Sequence, residues 1–355
     1  MSKMSNRALM VGALVGVLTM TASITQAQVS NVFNMPTGQT SMQFVTVGNP
    51  GNAADSNGYG SVGYTYQMAK YDVTVGQYCQ FLNAVAQTDT YGLYNGYMDT
   101  NMPTIAITQN GGPGSYSYVV TGSYSAGVNC PIFDVSWGDA ARFCNWLENG
   151  QPVGPEGNGT TETGAYTLNG AVTTSALMAI TRNAGATYVI PSMNEWYKAA
   201  YYKGGSTNAG YWLYPTQSNT APVSSLPDTG NHANFASATM GPGIVYTDPV
   251  NHLTPVGTFT LSPGPYGTFD QGGNLYQWTE LPLDGSMRAV MGGSWADVVS
   301  NLQAHVGAAD DPAMNYGYNE GFRVAEVPEP GSITLVVCGG LCLLAYAWRR
   351  RRRTA

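Results

Sequence analysis

The residues of this chain that could do chemistry are few. Away from the hydrophobic ends the thiols are Cys79, Cys130 and Cys144, and no cysteine follows until Cys338. An odd count leaves at least one thiol unpaired even where export permits a disulfide. Cys79 and Cys144 fall on expected amphipathic helices beside aromatic residues, so both read first as small apolar core residues, with a bridge between them as the alternative. His232, His252 and His305 lack zinc spacing, no His-x-x-x-His occurs, and all three read as solvent-facing. No glycine-rich loop sits between a strand and a helix, so a phosphate cradle is excluded. Oxygen chemistry remains, because clustered acids could hold divalent cations.

Both ends of the chain read as addresses. Lys3 and Arg7 precede an apolar run from Ala8 to about Met20, and Thr25-Gln26-Ala27 offers small residues for signal peptidase; residues 1–27 therefore read as a signal peptide cleaved after Ala27. At the other end, Pro328-Glu329-Pro330 leads into an uncharged segment, 331–348, just long enough to span a bilayer. Arg349, Arg350, Arg351, Arg352 and Arg353 follow it and would stay cytoplasmic. A permanent single-span anchor is one reading of residues 328–353. The order of motif, span and basic stop resembles instead a PEP-CTERM sorting signal. That resemblance implies transient inner-membrane anchoring, cutting by an exosortase-type enzyme, and a destination in the envelope, at the outer surface or outside the cell.

With both ends removed, 7 basic groups face 20 acidic ones, a formal charge near −13. Such a surface repels phosphate backbones and makes nucleic acid an unsuitable partner. Charged residues make up only 10% of the chain, beside 44 glycines and 20 prolines, which excludes long helices over most of its length. A hydrophobic content of 43% with 7 tryptophans still provides a packed core.

The elements expected to position any site are short. Residues 42–47 alternate like a half-buried strand and 64–68 form a second. Thr74 caps a helix from Val75 to about Ala86, and Ser136 with Asp139 starts another through Leu147. Residues 88–130 read as loops and hairpins, 149–169 as a polar loop, and 188–190 as a strand. Ser192 with Glu195 forms a capping box for a helix to about Tyr202, and from Gly204 to Val327 only short strands and glycine turns are expected.

Seven segments, in order, resemble the formylglycine-generating enzyme, or sulfatase-modifying factor, family. They are 71–81, beginning Tyr71-Asp72-Val73-Thr74; 135–147, beginning Val135-Ser136-Trp137; 190–200, with Ile190-Pro191-Ser192; Thr254-Pro255-Val256-Gly257; 266–279, with Gly273-Asn274 and Trp278-Thr279; Met291-Gly292-Gly293-Ser294-Trp295; and Gly321-Phe322-Arg323-Val324. They define a domain over 36–326. The resemblance implies an α+β, C-type-lectin-like fold, loop-rich with short strands and about three helices. Tryptophans such as Trp137, Trp196 and Trp295 would cement short elements. Arg323 reads as a buried ion-pair or carbonyl-binding strut.

Members that make formylglycine bind copper(I) through two cysteines just after the Gly-Gly-Ser-Trp-like segment. Here Asp297 lies about where the first thiol would be, and a carboxylate is a poor copper(I) ligand. Gln303 and Gly307 also stand where the family commonly has arginines, so no catalytic residue is assigned and copper is not expected. The resemblance also implies calcium. Asn234 and Asp248, with the carbonyls of Phe235 and Val250, would form one site. Asp270 and Gln277, with the carbonyls of Gly273 and Leu275, would form a second, weakened because Gln277 replaces an acid. Without metal these are ordinary Asx-turn residues. Two functions are weighed: a surface-sorted binding or structural module taking glycan or protein, and a metal-dependent oxidoreductase modifying proteins or small molecules. Tyrosines in 91–97 and 116–124 would suit stacking on a ligand, or else pack their own loops.

Overall fold

The computed structural model describes residues 40–238, 243–314 and 317–328. The leader, the apolar segment 331–348 and the arginine block lie outside them. Among the described residues no helix is long and apolar enough to cross a membrane.

Three helices begin where the sequence supplies paired caps. Helix α1 (Val75–Val85) follows β1 (Phe44–Val47) and β2 (Tyr66–Ala69); Thr74 Oγ1 accepts the Gln77 amide at 3.2 Å while the Gln77 side chain accepts from Thr74 N at 2.8 Å. After α2 (Tyr97–Thr100) and the hairpin β3 (Ala106–Asn110) and β4 (Ser117–Thr121), α3 (Trp137–Glu148) opens on the same reciprocal bonds between Ser136 and Asp139. Helix α4 (Thr174–Met178) and β5 (Tyr188–Val189) precede α5 (Met193–Tyr201), capped by Ser192 and Glu195. Each box satisfies two backbone donors that would otherwise be orphaned at a helix start. The helix count differs from expectation because α2 and α4 are single turns of 4 and 5 residues, too short to show an apolar period.

Two four-stranded sheets hold the rest. One has the order β1-β2-β10-β5, with β10 at Ala325–Glu326. The other runs β8-β7-β6-β9, with β6 at Tyr276–Pro282, β7 at Arg288–Met291, β8 at Gly307–Asp310 and β9 at Glu320–Gly321. Between sheets and helices, Tyr78, Phe81, Phe143, Trp146 and Phe322 pack edge-to-face and stacked with ring centroids 5.3–6.3 Å apart. Cys79, Cys130 and Cys144 are buried and unbridged.

Arg323 joins the two sheets and is fully buried. Its Nη1 donates to Ala69 O at 2.7 Å, its Nη2 to Phe269 O at 2.7 Å and to Asp72 Oδ1 at 3.1 Å, and its Nε to Gln277 Oε1 at 2.7 Å. It is thus both an ion pair and a carbonyl strut. One glycine is indispensable to this end of the fold: Gly273 has φ +79 and packs so tightly on the Asn234 backbone that a Cβ would collide with it.

Candidate functional site

The turn after β7 is where the family's chemistry would sit, and here it is built from hydrogen bonds rather than thiols. Gly292 and Gly293 adopt φ +102 and +72, which delivers Ser294, Trp295 and Asp297 to one end of the second sheet. Asp297 Oδ2 accepts from Ser294 N at 3.0 Å and from the Ser294 hydroxyl at 2.5 Å. Its Oδ1 accepts from Asn301 Nδ2 at 3.1 Å, and that amide also donates to Tyr276 O–H at 2.9 Å. The carboxylate therefore fixes its own turn.

Trp295 is 7% exposed and leads an aromatic cluster. His252 stacks on it at 4.2 Å and 15°, Tyr246 packs against both at 5.4 and 5.2 Å, and Tyr318, 46% exposed, leans on it at 5.8 Å. His252 is held in left-handed backbone at φ +64, its amide bonded to Asp248 O at 3.0 Å. Burial depresses its pKa against the opposing pull of Asp248. Trp295 Nε1 and His252 Nδ1 are both buried without a protein partner. On β9, burial and then Asp310, Asp134 and Asp297 push Glu320 up to about 8.

Two residues of the first expected calcium set, Asn234 and Asp248, hydrogen-bond to the His252 backbone. Asn234 is buried, its Nδ2 donates to His252 O at 2.8 Å and to Asn274 Oδ1 at 2.9 Å, and its Oδ1 has no partner. Phe235 O accepts from the Ser224 hydroxyl and from Thr247 Oγ1 at 3.5 Å. The Asp248 carboxylate accepts from Val250 N at 3.0 Å, and from Asn251 N and Nδ2 at 2.8 Å each; Val250 itself is exposed. Asn234 Oδ1, buried and unpartnered, is an oxygen of the kind a hard cation takes, while the Asp248 carboxylate and the Phe235 carbonyl already accept hydrogen bonds.

The second set fits a cation poorly. Gln277 Oε1 already accepts from Trp196 Nε1 and from Arg323 Nε, both at 2.7 Å, while its Nε2 donates to Asp270 O at 2.7 Å. Asp270 Oδ2 accepts from Gly257 N at 2.6 Å. The structure therefore uses Gln277 to seat Arg323, close to the backbone that carries Gly273 and Leu275. No group of three or more His, Cys, Asp or Glu able to hold a metal occurs among the described residues.

One sequence expectation needs correction, and an open alternative is narrowed. The histidines are not uniformly solvent-facing: His305 is exposed, but His232 is buried, with Nδ1 at 2.8 Å from Ser225 O, Nε2 at 3.0 Å from Thr229 Oγ1, and its ring stacked with Phe259. The tyrosine-rich segments mostly pack their own loops. Tyr91 lies under the Arg142 guanidinium at 4.8 Å, Tyr94 packs on Tyr118, and Tyr118 is buried with its O–H on Ala86 O; Tyr97 stays half exposed. Tyr246, Tyr318, Glu320, Asp310 and Asp134 gave no local signal in the sequence, since they come from separate segments that only the fold brings together.

A model of the sulfatase-modifying factor enzyme 1-like domain matches residues 21–327, and a PEP-CTERM protein-sorting motif matches residues 326–352. The chain belongs to the sulfatase-modifying factor family. Its sorting motif indicates export to the cell envelope or surface and processing by an exosortase-type enzyme. Solved structures similar to it include CarF, at 21% identity and TM-score 0.47, covering 81% of this chain and 99% of that one. Treponema denticola variable protein 1 aligns at 15% identity and TM-score 0.47, with coverage of 81% and 95%. PvdO from Pseudomonas aeruginosa aligns at 17% identity and TM-score 0.41, with coverage of 81% and 93%. No curated protein matches the chain.

Proposed function

We propose that the exported domain is a binding module of the envelope or extracellular matrix, with its ligand surface at the Trp295 end of the second sheet and without thiol–copper oxidase activity. One observation carries this reading: Asp297, where the family's first copper thiol would lie, spends its carboxylate on Ser294 and Asn301, while Trp295 Nε1 and, on the ring stacked with it, His252 Nδ1 remain buried and unpartnered. An unpaired buried donor costs about 1–3 kcal/mol, which a bound ligand would recover. Cys79, Cys130 and Cys144 are buried, and burial pushes Cys79 up to about 12, so none offers a thiolate to a metal at neutral pH.

In the same reading, Asn234 and Asp248 with the carbonyls of Phe235 and Val250 hold a calcium ion that rigidifies the His252 loop. Mature exported protein should bind immobilised glycans or envelope proteins, contain no stoichiometric copper, and consume no oxygen with cysteine-containing peptides. One equivalent of copper with peptide-dependent oxygen uptake would overturn the reading in favour of an oxidoreductase.

A further inference from the structure

Asn49 stands directly before Pro50, in the loop that leads from β1 to β2. Proline pushes the residue ahead of it towards extended backbone, yet Asn49 is held in the left-handed region at φ +56. Such a departure persists only where the surroundings impose it. Two side chains from distant segments hold this one. Lys198 Nζ donates to the Asn49 backbone carbonyl at 2.9 Å, and the Tyr266 O–H donates to Asn49 Oδ1 at 3.0 Å. Lys198 is fully buried on α5, and among the described residues no carboxylate forms an ion pair with it. A fully buried lysine normally has a charged partner, whereas this one is aimed at a peptide carbonyl. Burial lowers its pKa to about 8, so the ammonium form still predominates at neutral pH.

Both contacts fall on atoms that a backbone self-cleavage would use. An asparagine carboxamide is ordinarily attacked by the next backbone N–H, but Pro50 has none, and that route is closed. The reaction left open is attack of Asn49 Nδ2 on the residue's own carbonyl carbon. A five-membered succinimide forms, the C–N bond to Pro50 breaks, and one Nδ2 proton passes to the proline nitrogen. Negative charge develops on the peptide carbonyl oxygen, where Lys198 donates. It also develops on Oδ1 as the amide nitrogen loses its proton, and there Tyr266 donates. Water then opens the succinimide, and no other reactant is needed. Pro50 is exposed and Asn49 half-buried, so water has access.

We propose that the domain cleaves its own backbone between Asn49 and Pro50, with the Asn49 carboxamide as nucleophile and Lys198 and Tyr266 stabilising the developing negative charges. The piece ending at Asn49 stays seated, because β1 pairs with β2 from Phe44 opposite Ala69 to Val47 opposite Tyr66, and Ser41 O accepts from Gln77 Nε2 at 2.7 Å. The domain is thus nicked rather than dismantled, and it gains a proline amino terminus at its surface. This activity is independent of the binding-module reading.

The test is incubation of the mature exported protein at neutral pH over days, followed by denaturing electrophoresis and intact-mass measurement. A fragment ending at Asn49 is expected, at first lighter by one water than the hydrolysed peptide, together with a partner beginning at Pro50. Asn49→Gly keeps the carbonyl and tolerates the positive φ but removes the carboxamide, so it should abolish cleavage in a folded domain. Lys198→Met should slow cleavage by about a hundredfold, as loss of an oxyanion donor implies. Tyr266→Phe keeps the ring and should slow it as well. An uncut wild-type chain overturns the proposal. So does a cut at this bond that persists in Asn49→Gly, or one that proceeds as fast in urea-unfolded protein as in native. Cleavage unchanged in both Lys198→Met and Tyr266→Phe overturns it too, because the fold would then contribute nothing to the reaction.

Discussion

Replacing Arg323 with methionine tests the framework that seats the site. The side chain is fully buried and bonds to Ala69 O, Phe269 O, Asp72 and Gln277, so its removal leaves a buried carboxylate and two carbonyls without their donor. Breaking a buried ion pair by deleting one partner costs about 3–5 kcal/mol. At about 2–4 °C per kcal/mol for a domain of this size, the melting temperature should fall by roughly 6–20 °C. Burial pushes Asp72 up to about 8 against the pull of Arg323, and without the arginine Asp72 should take up a proton on folding. Adding Asp72→Asn to Arg323→Met should therefore restore part of the lost stability, because folding at neutral pH no longer requires a carboxylate to be protonated. Scanning calorimetry of both variants at neutral pH decides the matter. A fall under about 3 °C, or a double variant less stable than the single one, would refute the strut reading.

Three further outcomes are expected. Glu320 has a folded pKa raised from 4.5 to about 8 by burial and by Asp310, so its contribution to stability is complete below its unfolded value and is lost as pH rises through about 8; melting should weaken over that interval, and Glu320→Gln should flatten the dependence. Calcium at ten times its dissociation constant should stabilise the native state by about 1.4 kcal/mol, visible as a raised melting temperature, and Asn234→Ala should abolish the rise; no shift at millimolar calcium removes the proposed site. Replacing Pro328-Glu329-Pro330 with alanines should block processing of the exported chain, leaving the arginine block in the intact mass; normal cleavage would contradict the sorting role assigned to these residues.

The amino-acid sequence determined what depends on local bonds. Thr74 with Gln77, Ser136 with Asp139, and Ser192 with Glu195 place three helix starts within a residue of their observed positions, because a capping box closes inside a single turn. The order of the seven family segments identified the domain, and no cysteine lies between Cys144 and Cys338, where the family's thiol pair would be expected. The C-terminal sorting motif was equally legible, since apolar length and adjacent charge are linear properties.

Tertiary structure alone decided the rest. Single-turn helices α2 and α4 are too short for a periodic pattern and are held by their surroundings. Whether a tyrosine offers its face to a ligand or to Arg142 depends on which segment folds over it, so of the two readings open for 91–97 and 116–124 packing largely prevails, while Tyr246 and Tyr318 reach Trp295. Glu320 gathers Asp134, Asp297 and Asp310 from distant segments, and no spacing in the chain announces that juxtaposition. A carboxylate's partner is a property of three-dimensional distance: Asp72 meets an arginine 251 residues away in the chain.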